Sequence, residues 1–185
     1  VVFLLLFQRD LVEDKMNDGA QQGRDYLEKI IQVPFDIPRI ETTRLHSLLF
    51  NKLDKIIEQD ESAANMFDSV RWGNIFHSGL KGYFDNLRSV YRYTSTLSFH
   101  FTLLKGKSAF EVNPVDLIAI ECLRIFEPDV YKEIGRAKEI FTKNGSDRYG
   151  RGEESTSRLV NGILDKSSGG KREPVKEIVE QLFPT

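Results

Sequence analysis

The feature that most constrains this chain is its opening, Val1-Val-Phe-Leu-Leu-Leu-Phe7, which is apolar without a break and ends at Gln8-Arg9-Asp10. A membrane-spanning helix needs about 20 such residues. A secretory signal needs a basic leader and a small-residue cleavage site. Neither pattern is present. A short apolar run bounded by polar residues instead predicts a β-strand covered on both faces, as in a parallel sheet. Such a strand depends on neighbours to satisfy its backbone groups. The expectation is therefore an incomplete domain, with sheet partners supplied from upstream of residue 1.

A second strand is expected at Ile30-Ile-Gln-Val33, closed by Pro34 and Pro38. From there the apolar period becomes helical. Leu45, Leu48, Leu49, Leu53, Ile56 and Ile57 form one stripe of a helix from Thr42 or Thr43 to about Glu58. Further helices are expected over Ser69–Phe84, with Val70 inward, and Asn86–Leu104, with Leu87 and Tyr91 inward. Asn113-Pro114 is a cap followed by proline in the first turn and opens a helix to Phe126. Pro128–Phe141, Glu153–Lys166 and Pro174–Phe183 complete the series. Two strands followed by a helical array predict the end of an α/β core joined to an α-helical subdomain. The expected divisions are 1–38, 39–141 and, after a flexible loop from Thr142 to about Gly152, 142–185.

Composition narrows the function classes. With 40% apolar and 29% charged residues the chain has an ordinary globular balance. A net charge of -2 gives no global field for nucleic acid. Nucleic-acid binding would have to use a local set: Lys81, Arg88, Arg92, Lys105 and Lys107 with Tyr83, Tyr91 and Tyr93. The single cysteine, Cys122, excludes a disulfide framework and reads as a small buried hydrophobe. The three histidines are scattered, so no metal site is expected. The phosphate-binding pattern G-x-x-x-x-G-K-S/T is absent. Gly169-Gly170-Lys171 lacks its first glycine, is followed by Arg172 and reads as a solvated linker. Asp10 stands too far past the apolar run to match a magnesium carboxylate that closes such a strand.

Tyr26-Leu-Glu-Lys-Ile-Ile-Gln-Val-Pro-Phe-Asp-Ile-Pro38 resembles the segment Y-L-E-K-I-I/V-Q-V/L-P-F-x-L/I-P of the KAP family of P-loop NTPases. Asn86-Leu-Arg-Ser-Val-Tyr-Arg-Tyr93 resembles that family's R-D-V/I-K-R-F/Y helix. Val115 to Tyr131 resembles its block D-L-I/L-x-I/L-E-x-L/F-R-x-x-x-P-x-V/L-Y, and Leu182-Phe-Pro184 a further L-F-P element. The order agrees along most of the chain. The resemblance implies a mainly α rear portion of an ASCE-type ATPase: terminal strands of the α/β core, then a helical lid. It implies ATP and Mg2+ gripped mainly by residues outside this chain. ATP binding and hydrolysis in the full-length protein would drive a conformational change.

The same resemblance assigns candidate residues. Gln8, where the family often has Asp, would orient the attacking water or sense the γ-phosphate; otherwise it marks the strand's exit to solvent. Lys29, with Arg24 as the alternative cation, stands where related ATPases place an arginine finger; otherwise Lys29 is a surface residue paired with Glu28. Arg88 resembles a lid arginine folding over the nucleotide, with Arg92 one turn on; the alternative is ion pairing with Asp85. Asp116 and Glu121 are expected to be structural. The implied partners are a nucleotide and a homo-oligomer or membrane-associated partner, and the implied location is cytoplasmic. The competing reading is a non-catalytic helical protein-interaction module.

Overall fold

The computed structural model describes residues 3–16, 22–106, 110–138, 141 and 153–183. Val1, Val2, Lys107, the loop expected at Thr142–Gly152 and Pro184 lie outside the described residues. Two compact units divide the chain, Val1–Arg39 and Ile40–Thr185.

The first unit holds α1 (Arg9–Lys15) and α2 (Gln22–Ile30). Each carries an acidic residue in its first turn and a lysine in its last, the order a helix dipole favours. Arg9 and Glu13 lie 2.6 Å apart, and Leu27 is buried. The expected strands are not formed. Phe3–Phe7 has no regular secondary structure, and Ile30 closes α2 rather than opening a strand. Among the described residues the β-pairing consists of one isolated antiparallel bridge, Lys105 with Phe110. An extended segment without a ladder partner has no hydrogen bonds to hold it as a strand. The apolar side chains follow suit: Leu4 is 95% and Phe35 86% exposed.

The second unit is helical. In α3 (Thr42–Ile57), Leu45, Leu49, Leu53, Ile56 and Ile57 are buried on one stripe. The short α4 (Glu61–Met66) has no counterpart in the sequence reading. Asp60 caps it, accepting from the backbone N–H of Ser62 at 3.0 Å and of Ala63 at 3.2 Å. The helix expected over Ser69–Phe84 is broken into α5 (Ser69–Ile75), a π-helical turn (Phe76–Leu80) and a 3-10 turn (Lys81–Tyr83). Then come α6 (Leu87–Leu103), α7 (Pro114–Phe126), α8 (Pro128–Arg136), α9 (Glu153–Leu164) and α10 (Arg172–Leu182). Asn113 caps α7, accepting from Val115 N–H at 2.9 Å.

The wide π turn coincides with the place where α10 comes closest. A Cβ added at Gly79 would meet Ile178 Cγ1 at 2.4 Å and the Pro174 carbonyl at 3.1 Å. Glycine is therefore needed there for close approach, not for its φ angle. Around Trp72 the rings of Phe50, Phe67 and Phe76 gather, with centroids 6.1, 6.5 and 5.4 Å away. A second ring group centres on Phe126: Tyr83 at 5.2 Å, Phe84 at 5.7 Å and Tyr93 at 6.2 Å. Cys122 is fully buried, and that burial pushes its thiol pKa well above the ordinary value. Three residues expected inward face solvent instead: Val70, Leu87 and Tyr91. The buried face of α6 runs through Val90, Tyr93, Thr94, Leu97 and Phe101; Tyr91 lies off it, and Leu87, in line with Thr94, sits in the first turn.

Candidate functional site

The candidate residues of the second unit stand at the start of α6. Asn86 accepts from Ser89 N–H at 2.8 Å, which fixes the first turn. The same Asn86 donates from Nδ2 to Asp85 Oδ1 at 2.6 Å. Arg88 is exposed and makes no ion pair with Asp85. Of the described arginines of this unit, Arg88 alone has neither a hydrogen bond nor an ion pair. Arg92, one turn on, is already engaged. Its Nη2 donates to the Ile125 carbonyl at 2.8 Å, and its guanidinium lies 5.8 Å from the Phe126 ring. Close to Arg88 along the helix, Tyr91 is half-exposed with the Lys52 ammonium 4.4 Å from its ring centroid.

In the first unit, Gln8 occupies the position before α1 in extended backbone and makes no capping bond with its side chain. Arg24 lies in α2 with Nε 3.4 Å from Glu28 Oε1. Arg9 approaches the same carboxylate oxygen at 3.8 Å. Glu28 thus serves Arg24 and Arg9, and Lys29 stands exposed in the last turn of α2 without that partner.

Two buried carboxylates shape the surroundings. Glu121 on α7 accepts from Arg124 Nε at 2.8 Å and Nη2 at 2.6 Å, and lies 3.1 Å from His100 Nδ1. The hydrogen bonds that Arg124 donates to Glu121 raise the Arg124 pKa. Glu121 thus links Arg124 of α7 to His100 of α6. Glu127, between α7 and α8, is 2% exposed and was not singled out in the sequence. It accepts from Tyr83 Oη at 3.0 Å, Ser168 N–H at 2.7 Å and Ser168 Oγ at 2.6 Å. Burial, and then the Glu127 charge, push the Tyr83 phenol far above its ordinary pKa, so it remains a donor. Lys171 Nζ donates to the Gly82 carbonyl at 2.8 Å and sits 4.8 Å from the Tyr83 ring. Gly169-Gly170-Lys171, read as a solvated linker, is tied down by the bonds of Ser168 and Lys171 on either side. The partners of Glu127 are 41 and 44 residues away in sequence, too far for any spacing rule to reveal.

Of the set considered for nucleic acid, Tyr83 and Tyr93 are buried and Lys105 pairs with Asp60 at 3.7 Å. Among the described residues no group of three or more His, Cys, Asp or Glu side chains is placed to hold a metal ion. An exposed guanidinium such as that of Arg88 has the forked donors that match a phosphate oxygen. No described helix is long and apolar enough to cross a membrane.

A family model described as the KAP family P-loop domain matches residues 1–104, more than half of the 185-residue chain. The chain belongs to that family. Comparison with curated proteins and with solved structures returns no match. The KAP match takes in Gln8, Arg24, Lys29, Arg88 and Arg92 and ends one residue after α6. The block from Val115 to Tyr131 lies beyond it. Membership in the KAP family relates the chain to P-loop NTPases, a nucleotide-binding class.

Proposed function

We propose that the chain is the C-terminal part of a KAP-type ATPase, in which the first unit completes the α/β core and the helical unit is the lid. In the full-length protein the phosphate-binding loop and the Mg2+ carboxylate come from residues outside this chain. Phe3–Phe7 and Ile31–Val33 become strands there, once sheet neighbours satisfy their backbones and cover their exposed side chains. Arg88 folds over the nucleotide and donates to phosphate oxygens, so that hydrolysis is coupled to lid movement. Lys29, or Arg24 beside it, supplies a cation to the nucleotide of a neighbouring copy, and Gln8 contacts the attacking water or the γ-phosphate.

The observation that carries this reading is the unpartnered Arg88 on a capped, ordered helix within the family match. Arg88→Ala in the full-length protein is expected to lower ATP turnover by about tenfold to a hundredfold, the worth of hydrogen bonds to a charged group. Its thermal midpoint should stay within about 2 °C of wild type, since no internal contact is lost. Wild-type turnover in that variant would overturn the role and favour a non-catalytic helical interaction module. Titration calorimetry on the 185-residue chain alone should show no tight ATP binding; micromolar affinity would place the main phosphate grip inside it.

A further inference from the structure

Three consecutive residues at the α7–α8 junction hold the first half of α6. The Ile125 carbonyl accepts from Arg92, the Phe126 ring packs on Tyr83, Phe84 and Tyr93, and the Glu127 carboxylate accepts from Tyr83. Tyr83 and Phe84 lead directly into the Asn86 cap and Arg88. On its other side Glu127 takes both donors of Ser168, in the turn between α9 and α10. A carboxylate that is 2% exposed must be satisfied by hydrogen bonds, and here neutral donors from two distant segments do so. Ser168 itself is exposed, so this link can be loosened without opening the core.

We propose that Glu127 is a positioning residue: it latches the Ser167–Lys171 turn against the approach to α6 and thereby sets the orientation of Arg88. The C-terminal helices, which lie outside the family match, would in this way tune a residue inside it. The proposal rests on the nucleotide-facing role of Arg88 for its effect on activity, but not for its effect on α6.

The test compares Ser168→Ala, which removes only the hydroxyl donor, with Ser168→Thr, which keeps both donors, and with Glu127→Gln, which cannot accept from all three. Hydrogen exchange on the 185-residue chain should show the Ser89–Tyr93 amides opening about tenfold more in Ser168→Ala, the scale of one hydrogen bond to a charged group. The α3 amides should be unchanged, and Ser168→Thr should behave as wild type. In the full-length protein the same Ser168→Ala variant should raise the KM for ATP and lower kcat, each several-fold and in the direction of Arg88→Ala. Unchanged exchange at Ser89–Tyr93 would overturn the proposal, as would an equal rise throughout the helical unit. If exchange rises there while Arg88→Ala retains wild-type turnover, the latch stands and the ATPase role of Arg88 fails. If Arg88→Ala loses turnover while Ser168→Ala changes neither exchange nor KM, the reverse holds.

Discussion

The two units respond differently to the same kind of residue. Residues 3–7 of the first unit are as apolar as any stretch of α7, yet Leu4 and Phe3 lie open to solvent while Val115, Ile118 and Leu123 of α7 are buried. The difference is not hydrophobicity but self-sufficiency. An α-helix closes its own backbone hydrogen bonds and needs neighbours only for one face. A strand needs neighbours for its backbone as well. The helical unit therefore completes its core from its own sequence, whereas Phe3, Leu4, Leu6 and Phe35 of the first unit stay exposed.

The comparison can be broken at its strongest point by Phe84→Ala, which removes a fully buried ring from the Phe126 group. It should cost about 3–5 kcal/mol in urea unfolding, the range for deleting a core phenylalanine. Gly79→Ala should cost about 1–3 kcal/mol, because the new methyl overlaps buried Ile178 at Cγ1 and presses on the Pro174 carbonyl. A neutral result would mean that α10 is not seated on the π turn as tightly as the geometry shows. The smallest effect belongs to the first unit: Phe35→Ala should change the stability of the 185-residue chain by less than about 0.5 kcal/mol. A loss as large as that of Phe84→Ala would show that Phe35 has a core around it after all. In the full-length protein the same change is expected to become costly, since sheet partners would then cover the ring.

Most helices were legible because their signals are local. Asn113-Pro114 and Asn86 announce their helices through capping chemistry that operates within three residues. Asp60 before α4 carries the same signal, but that helix is only one and a half turns long and its apolar period is too short to read. The break after Ile75 was not legible, and the side chain packed against it at Gly79, that of Ile178, comes from about a hundred residues away. The strand expectation failed for the opposite reason: Val1–Phe7 encodes a demand for partners, and a demand is not a structure. In the candidate site, Arg88 and Arg92 share one face by spacing alone, and the sequence shows that much. Which of the two is free depends on the Ile125 carbonyl, a backbone group that no residue identity announces. Glu127 was hidden in the same way, since nothing beside it in sequence distinguishes it from a surface glutamate.

The ring group around Trp72 has a further use. Trp72 is the chain's single tryptophan and belongs to the helical unit. Its emission is therefore an optical signal from the helical unit. In a urea titration, emission tracks loss of the packing between α3 and α5, whereas far-ultraviolet dichroism sums helix wherever it occurs. A dichroism change that precedes the emission change reads out helix outside the ring group, with α1 and α2 the first to suspect, and needs no label to detect.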